Sequence, residues 1–168
     1  MLPLIKKLFV ITTSLAAMLL MPVTAQSAPE STKPKIHIIY FGGNDCPPCV
    51  TWRATEFLKL QKSEIFKSIT FTYVTKAINS AVPSGFFLPS EVKPFKEKLD
   101  IATGRNAGSP QVVMLVNDEV HDTFFGSRSA EQYEKMILSV QQNTPYPEPR
   151  CVRQQAHFFC AEKRAGNW

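Results

Sequence analysis

Two cysteines with two prolines between them, Cys46-Pro47-Pro48-Cys49, constrain this chain more than any other feature of it. Proline holds φ at about −65° and lacks an N–H, so paired prolines suit neither a helix interior nor a central strand. They do fit the first turn of a helix. The preceding residues supply what should come before such a turn. Residues 35–41 (KIHIIYF) are rich in β-branched and aromatic side chains and read as a buried strand, which Gly42-Gly43-Asn44-Asp45 breaks. Beyond the pair, Val50, Ala54, Phe57 or Leu58 and Gln61 recur at helical spacing. The expected unit is strand, tight loop and helix, with Cys46 at the helix start.

That placement has a chemical consequence. The thiolate, not the thiol, attacks a disulfide. Unpaired amides and the dipole at a helix N-terminus favour it. Cys46 is therefore the candidate nucleophile. Cys49, nearly one turn on, is the candidate resolving thiol. Neither Pro47 nor Pro48 carries an N–H, so the Cys46 sulfur must rely on later amides such as that of Cys49. A modestly stabilised thiolate follows, with a Cys46 pKa above ~6, which leans towards a reductant rather than a strong oxidant. Two other readings of C-x-x-C stay open here. A zinc or iron–sulfur site wants four ligands, and the remaining candidates, Cys151, Cys160 and His157, do not form a second knuckle; no metal is expected. A purely structural Cys46–Cys49 bond is the other, although short exposed loops make labile disulfides rather than strong staples.

Further along, residues 69–75 alternate Ile69, Phe71 and Tyr73 against threonines and predict a second strand. Residues 77–89 read as loop, and 90–101 as a modest helix with Pro94 in its first turn. Residues 111–116 (QVVMLV) are an apolar strand, Asn117-Asp118 a hairpin turn, and 119–125 its antiparallel return. Ser129 and Gln132 resemble a capping box opening a helix over 130–142, with Tyr133, Met136, Ile137 and Val140 on its apolar face. Residues 144–149 (TPYPEP) form a stiff extended connector. Phe86-Phe87-Leu88 is either an exposed apolar lip or, more ordinarily, a loop packed on the core. His37, His121 and His157 are scattered, and no Ser-His-Asp set or glycine-rich phosphate loop is visible. Arg150, Arg153, Lys163 and Arg164 make the tail basic, as a solvated surface.

The N-terminus has the form of a secretory signal. Lys6 and Lys7 precede a mostly apolar run over residues 8–21, Pro22 ends it, and Val23-Thr24-Ala25 offers small residues for cleavage. The mature chain is expected to begin near Gln26. The alternative is an uncleaved anchor, the chain's one expected membrane contact, although the run is shorter than a typical span. Either way the domain lies outside the cytoplasm, in the periplasm, where disulfides persist. The expected organisation is a signal peptide at 1–25, a flexible leader at 26–34, one α/β domain at 35–143, and a connector and tail at 144–168. The net charge of +5 includes Lys6 and Lys7, and no dense Lys/Arg stripe remains for nucleic acid. With 44% apolar and 20% charged residues, a disordered chain is excluded. Cys151 and Cys160 are expected to form a structural disulfide that closes the tail, the alternative being an electron relay to Cys46 and Cys49.

With strand, loop, Cys46-Pro47-Pro48-Cys49 and helix in place, the sequence resembles the thioredoxin superfamily. Ser109-Pro110 before an apolar strand is similar to the family's cis-proline segment, and Val112-Val113-Met114-Leu115, Asn117, Glu119-Val120 and Gly126 continue the spacing. The resemblance covers roughly residues 35–142. It implies a thioredoxin-like α/β fold, a central mixed sheet of four or five strands flanked by helices, here with a loop–helix insertion and a disulfide-linked C-terminal extension. It also implies a cis peptide at Pro110, lying against the Cys46–Cys49 disulfide, and a substrate segment paired along Ser109. Two departures stand out. The family's buried acid, six residues before the first cysteine, is Tyr40 here, and the tryptophan before that cysteine is Asp45, a carboxylate that disfavours the thiolate. The implied activity is exchange with protein thiols and disulfides by a monomer without a cofactor, together with a membrane or periplasmic redox partner. A reductase or thiol donor ranks before an oxidant, and an oxidant before an isomerase. The competing class is a non-catalytic binding or assembly module of the cell envelope.

Overall fold

A mixed sheet in the order β2-β1-β3-β4 carries the chain. The computed structural model describes residues 33–154 and 157–160, so the expected signal segment and nearly all of the leader lie outside the described residues. The central strand β1 (Ile36–Gly42) pairs parallel with β2 (Thr70–Thr75) and antiparallel with β3 (Gln111–Val116). In turn β3 pairs antiparallel with β4 (Glu119–Phe125). Every residue of β1 is buried, because helices cover both faces of the sheet. Its side chains alternate accordingly. Ile36, Ile38 and Tyr40 pack with Val112, Met114, Trp52, Leu60, Tyr133 and Met136. Ile39 and Phe41 pack on the other side with Val74, Val92, Leu99, Val113 and Leu115. This is the helix-flanked mixed α/β sheet that the sequence predicts, with four strands.

The β3–β4 hairpin matches the expected bounds. Asn117 and Asp118 both have positive φ, 50° and 66°, the backbone of a tight hairpin turn that Asn and Asp tolerate. The capping box is present: Ser129 Oγ accepts the Gln132 N–H, and the Gln132 side chain accepts the Ser129 N–H. It opens α4 (Ala130–Gln142), which buries Tyr133, Met136 and Ile137. Glu56 Oε2 accepts the Ala130 N–H at 2.9 Å and ties α4 to the helices after the cysteines.

Elsewhere the structure corrects the sequence reading. The helix after Cys46 is two helices, α1 (Pro47–Ala54) and α2 (Glu56–Lys62), interrupted at Thr55. They bury Cys49, Trp52 and Leu60, while Val50 and Leu58 point to solvent. The helix starts where expected, but the face it buries is the one that meets the sheet, through Trp52 and Leu60, rather than the one its own apolar spacing picks out. The helix expected over 90–101 begins as a short 3-10 turn at Lys93–Phe95, and α3 is Lys96–Thr103, displaced past Pro94. Phe86 and Phe87 are 83% and 73% exposed, so the loop buries Leu88 alone of that trio.

The tail is a small hairpin, β5 (Cys151–Gln154) and β6 (His157–Cys160), with Cys151 opposite Cys160 in register. Cys151 is buried and disulfide-bonded. Buried Asp122 on β4 anchors this end of the chain: its Oδ1 accepts the Cys151 N–H at 2.8 Å, and its Oδ2 accepts the Tyr146 hydroxyl at 3.3 Å. Next to it, the His121 ring meets the Tyr146 ring edge-on, and Arg150 lies against both.

Burial, and then the Arg150 charge, push the His121 pKa down to about 4. A histidine depressed in the folded state binds its proton more readily when unfolded. Its contribution to stability is therefore complete above about 6.5 and is lost as pH falls towards about 4. His37, also lowered chiefly by burial, acts with the same sign. Urea unfolding should show stability declining over that window, and His121→Asn should flatten the decline. An unchanged pH dependence in the variant would contradict this packing.

Candidate functional site

The site stands at the C-terminal end of β1. There the chain must turn sharply from the central strand into α1, and two glycines allow it. A Cβ on Gly43 would lie 2.2 Å from the Lys76 carbonyl oxygen and 2.3 Å from Asp45 Oδ1. A Cβ on Gly42 would crowd Tyr73 Oη, Tyr40 Cε1 and Cys49 Sγ at 2.8, 2.9 and 3.0 Å. Only glycine leaves the turn this close to its neighbours.

Cys46 is the N-cap of α1, with extended φ and ψ of −113° and 97° and Pro47 following in the first turn. Its Sγ accepts the Cys49 N–H at 3.3 Å, the amide that the two prolines leave for it. Cys46 and Cys49 form a disulfide, with Cα atoms 5.2 Å apart. Both cysteines are fully buried while Pro47 and Pro48 are exposed. The loop is thus exposed, as expected, but through its prolines, and the sulfurs sit beneath.

The floor of the site is aromatic. Tyr40 is fully buried, stacked on Trp52 at 4.3 Å and on Tyr73 at 5.3 Å. Each such contact contributes about 0.5–1.5 kcal/mol beyond its buried area. Trp52 Nε1 donates to the Arg128 carbonyl at 2.6 Å, which fixes the ring's orientation. Burial raises the Tyr40 pKa to about 12, and its hydroxyl meets Ser127 Oγ at 3.4 Å. A neutral phenol therefore stands at this position.

Asp45 is not isolated against Cys46. Its Oδ2 accepts the Ile78 N–H at 3.0 Å, and its charge favours the protonated form of Lys76. Lys76 is a buried cation, its pKa lowered by desolvation with Asp45 opposing. Its Nζ donates to the carbonyls of Ser80 and Gly108, at 2.7 and 2.5 Å. This cation fastens the end of β2 to the segment before Pro110. The Ser109–Pro110 peptide bond is cis, and the Pro110 carbonyl accepts the Gly126 N–H at 2.9 Å. Because Gln111 stands opposite Phe41, Pro110 enters β3 at the same sheet end as the cysteines.

The structure thus gathers Tyr40, Asp45, Cys46, Pro47, Pro48, Cys49, Ser109 and Pro110 at one end of the sheet. Cys151 stands apart, on the hairpin against β4 and α3. Sequence reasoning missed Trp52, Tyr73 and Lys76 as site residues. Lys76 follows the β2 pattern and could have been flagged as a charge at a strand end, but nothing local marks it as buried. Among the described residues no group of His, Cys, Asp and Glu could hold a metal ion. Two surface hollows, of about 370 and 430 Å³, are lined by other residues, His121 and Tyr146 in one and Ile65 and Leu138 in the other.

No family model matches the sequence, and no curated protein matches it. Among solved structures, the chain is similar to thioredoxin-2, a component of the malaria parasite protein secretion machinery, at 20% identity. That match covers 64% of this chain and 85% of the other, with a TM-score of 0.40. StoA from Bacillus subtilis matches at 20% identity over 62% of this chain and 83% of its own, TM-score 0.40. The periplasmic thioredoxin SoxS from Paracoccus pantotrophus matches at 11% identity over 64% and 97%, TM-score 0.39.

Gly43→Ala should destabilise the oxidised protein by about 1–3 kcal/mol, because its methyl meets a backbone oxygen that cannot swing aside. Denaturant unfolding measures the change. Wild-type stability in this variant would show that the turn and the Lys76 carbonyl are not in close contact.

Proposed function

We propose that this chain is an exported thiol–disulfide oxidoreductase that exchanges disulfides with protein substrates through Cys46 and Cys49. One observation carries the reading: a disulfide whose first sulfur caps a helix and accepts the amide of the second cysteine. That geometry favours a thiolate at Cys46 once the bond is reduced. The Cys46 thiolate attacks a substrate disulfide and forms a mixed disulfide, and one substrate thiolate departs. Cys49 then attacks the Cys46 sulfur and releases the second. The entry of Pro110 into β3 at the same sheet end supports a groove in which an extended substrate segment lies along Ser109. No cofactor enters these steps.

A reductase or dedicated thiol donor ranks first. Proline at both intervening positions leaves the Cys46 sulfur one nearby amide, and a phenol replaces a carboxylate at Tyr40. Export rests on the sequence alone: Lys6 and Lys7, the apolar run over 8–21, and cleavage near Ala25, which together suit a periplasmic monomer with an envelope redox partner. Cys151 and Cys160, opposed in register, form the structural disulfide of the tail in this reading.

The full burial of Cys46 and Cys49 favours a second reading, a non-catalytic binding or assembly module whose disulfide never meets a substrate. Insulin reduction by the mature protein separates the two. Turnover that falls to background in Cys46→Ser supports the oxidoreductase. Absence of turnover in the wild type, with partner capture unaffected by Cys46→Ser, supports the module. Equilibration with glutathione then sets direction: a potential below about −200 mV marks a reductant, and one near −120 mV an oxidant.

A further inference from the structure

The exchange chemistry leaves a half-buried tyrosine beside the resolving sulfur, Tyr73, without a task. Tyr73 stands opposite Tyr40 in the β1–β2 register, with their rings stacked. Its hydroxyl is shut off from solvent and has no hydrogen-bond partner among the described residues. A Cβ on Gly42 would lie 2.8 Å from that Oη and 3.0 Å from Cys49 Sγ, so the two atoms are no further apart than those distances combined. The space between them is the side chain that Gly42 lacks. Buried hydroxyls are ordinarily paired, and one left unpaired beside a reactive atom calls for a partner in another state of the protein.

We propose that the Tyr73 hydroxyl donates a hydrogen bond to the Cys49 sulfur in the reduced protein and in the mixed disulfide, stabilising the resolving thiolate. This deepens the oxidoreductase reading and rests on it. A disulfide sulfur is a poor acceptor, whereas a thiolate makes a charge-assisted bond. The contact is therefore worth more after reduction than before. In the resolving step the Cys49 thiolate attacks the Cys46 sulfur. The Cys49–Cys46 bond forms as the bond from Cys46 to the substrate sulfur breaks, and the electron pair departs on the substrate sulfur. That sulfur takes up a proton from solvent, to which Cys49 had released its own. The substrate disulfide gains two electrons, and the Cys46/Cys49 dithiol loses them.

Tyr73 acts here as a donor and not as a base. Burial raises its pKa, and the Arg53 guanidinium, 5.2 Å from the ring centroid, opposes that rise without overcoming it. Tyr40 also faces it, with its own hydroxyl turned to Ser127. Tyr40, although it holds the position of the family's acid, is thus not the group aimed at the sulfur.

Two measurements on Tyr73→Phe test the proposal. In a Cys46→Ala background, the Cys49 pKa is read from thiolate ultraviolet absorbance with tyrosine or phenylalanine at position 73. With both cysteines intact, the redox equilibrium with glutathione is read for each. The Tyr73→Phe substitution should raise the Cys49 pKa and shift the equilibrium about tenfold towards the disulfide, about 30 mV more negative. Removing an unpaired hydroxyl should leave the disulfide form as stable as before, or more so, in thermal unfolding. A purely structural tyrosine would move stability and leave the pKa and the potential unchanged, and that result overturns the proposal. Failure of the wild type to exchange thiols would instead sink the functional reading, while the Cys49 titration would still decide whether the hydroxyl reaches the sulfur.

Discussion

The amide of Cys49 points at the sulfur of Cys46, and most of the site follows from that contact. A helix leaves its first amides unpaired, and here the N-cap side chain that satisfies one of them is a sulfur rather than the usual oxygen. The two prolines between the cysteines make the arrangement narrow. They remove two donors, stiffen the turn, and leave the Cys49 N–H as the near amide. The same atoms that hold the loop in shape therefore set how readily its sulfur ionises. A stronger cap would need further donors, which this sequence does not place there.

Holding that cap over the sheet requires unusual closeness. Gly42 and Gly43 bring the chain within van der Waals reach of Tyr73, Tyr40, Cys49 and the Lys76 carbonyl. The Trp52–Tyr40–Tyr73 stack then fills the region beneath the disulfide with flat, rigid rings. Rings of this kind lose few degrees of freedom on packing and leave little room for water. The result is an aromatic floor, buried at Tyr40 and Trp52, in which a carboxylate would have been costly to bury.

The sheet was legible because its elements carry local signals. The hairpin at Asn117-Asp118 and the Ser129/Gln132 box depend on residues a few positions apart, and both match their observed bounds. The Cys46 N-cap was legible for the same reason, since proline chemistry is local. What sequence could not reach depended on distant partners. Whether Val50 or Trp52 faces the core is decided by where the sheet lies, not by the helix's own spacing. Phe86 and Phe87 look like core residues in any hydropathy reading, yet among the described residues they stay 83% and 73% exposed, with their rings set against each other. Lys76 looks like a strand-end charge, and only the arrival of Gly108 from 32 residues away makes it a buried clamp. Asp122 was likewise invisible as an anchor until the tail returned to it.

The Lys76 charge near Asp45 changes how the site's electrostatics should be weighed. From sequence, Asp45 beside Cys46 argues for a disfavoured thiolate, because a lone carboxylate repels it. In the fold that carboxylate accepts the Ile78 amide and lies within the influence of a buried ammonium. Both partners carry positive charge or partial charge that opposes the carboxylate's repulsion of a thiolate. The ammonium in turn is held by two backbone carbonyls rather than by a full ion pair, so its positive charge is incompletely neutralised. Charges of both signs therefore stand near Cys46. What remains to set the sulfur's poise is the short-range contact, the single Cys49 amide on one side and the neutral ring floor on the other. In the exchange proposed above, direction would turn less on the formal charges of the site than on how few hydrogen bonds each sulfur receives once the disulfide opens.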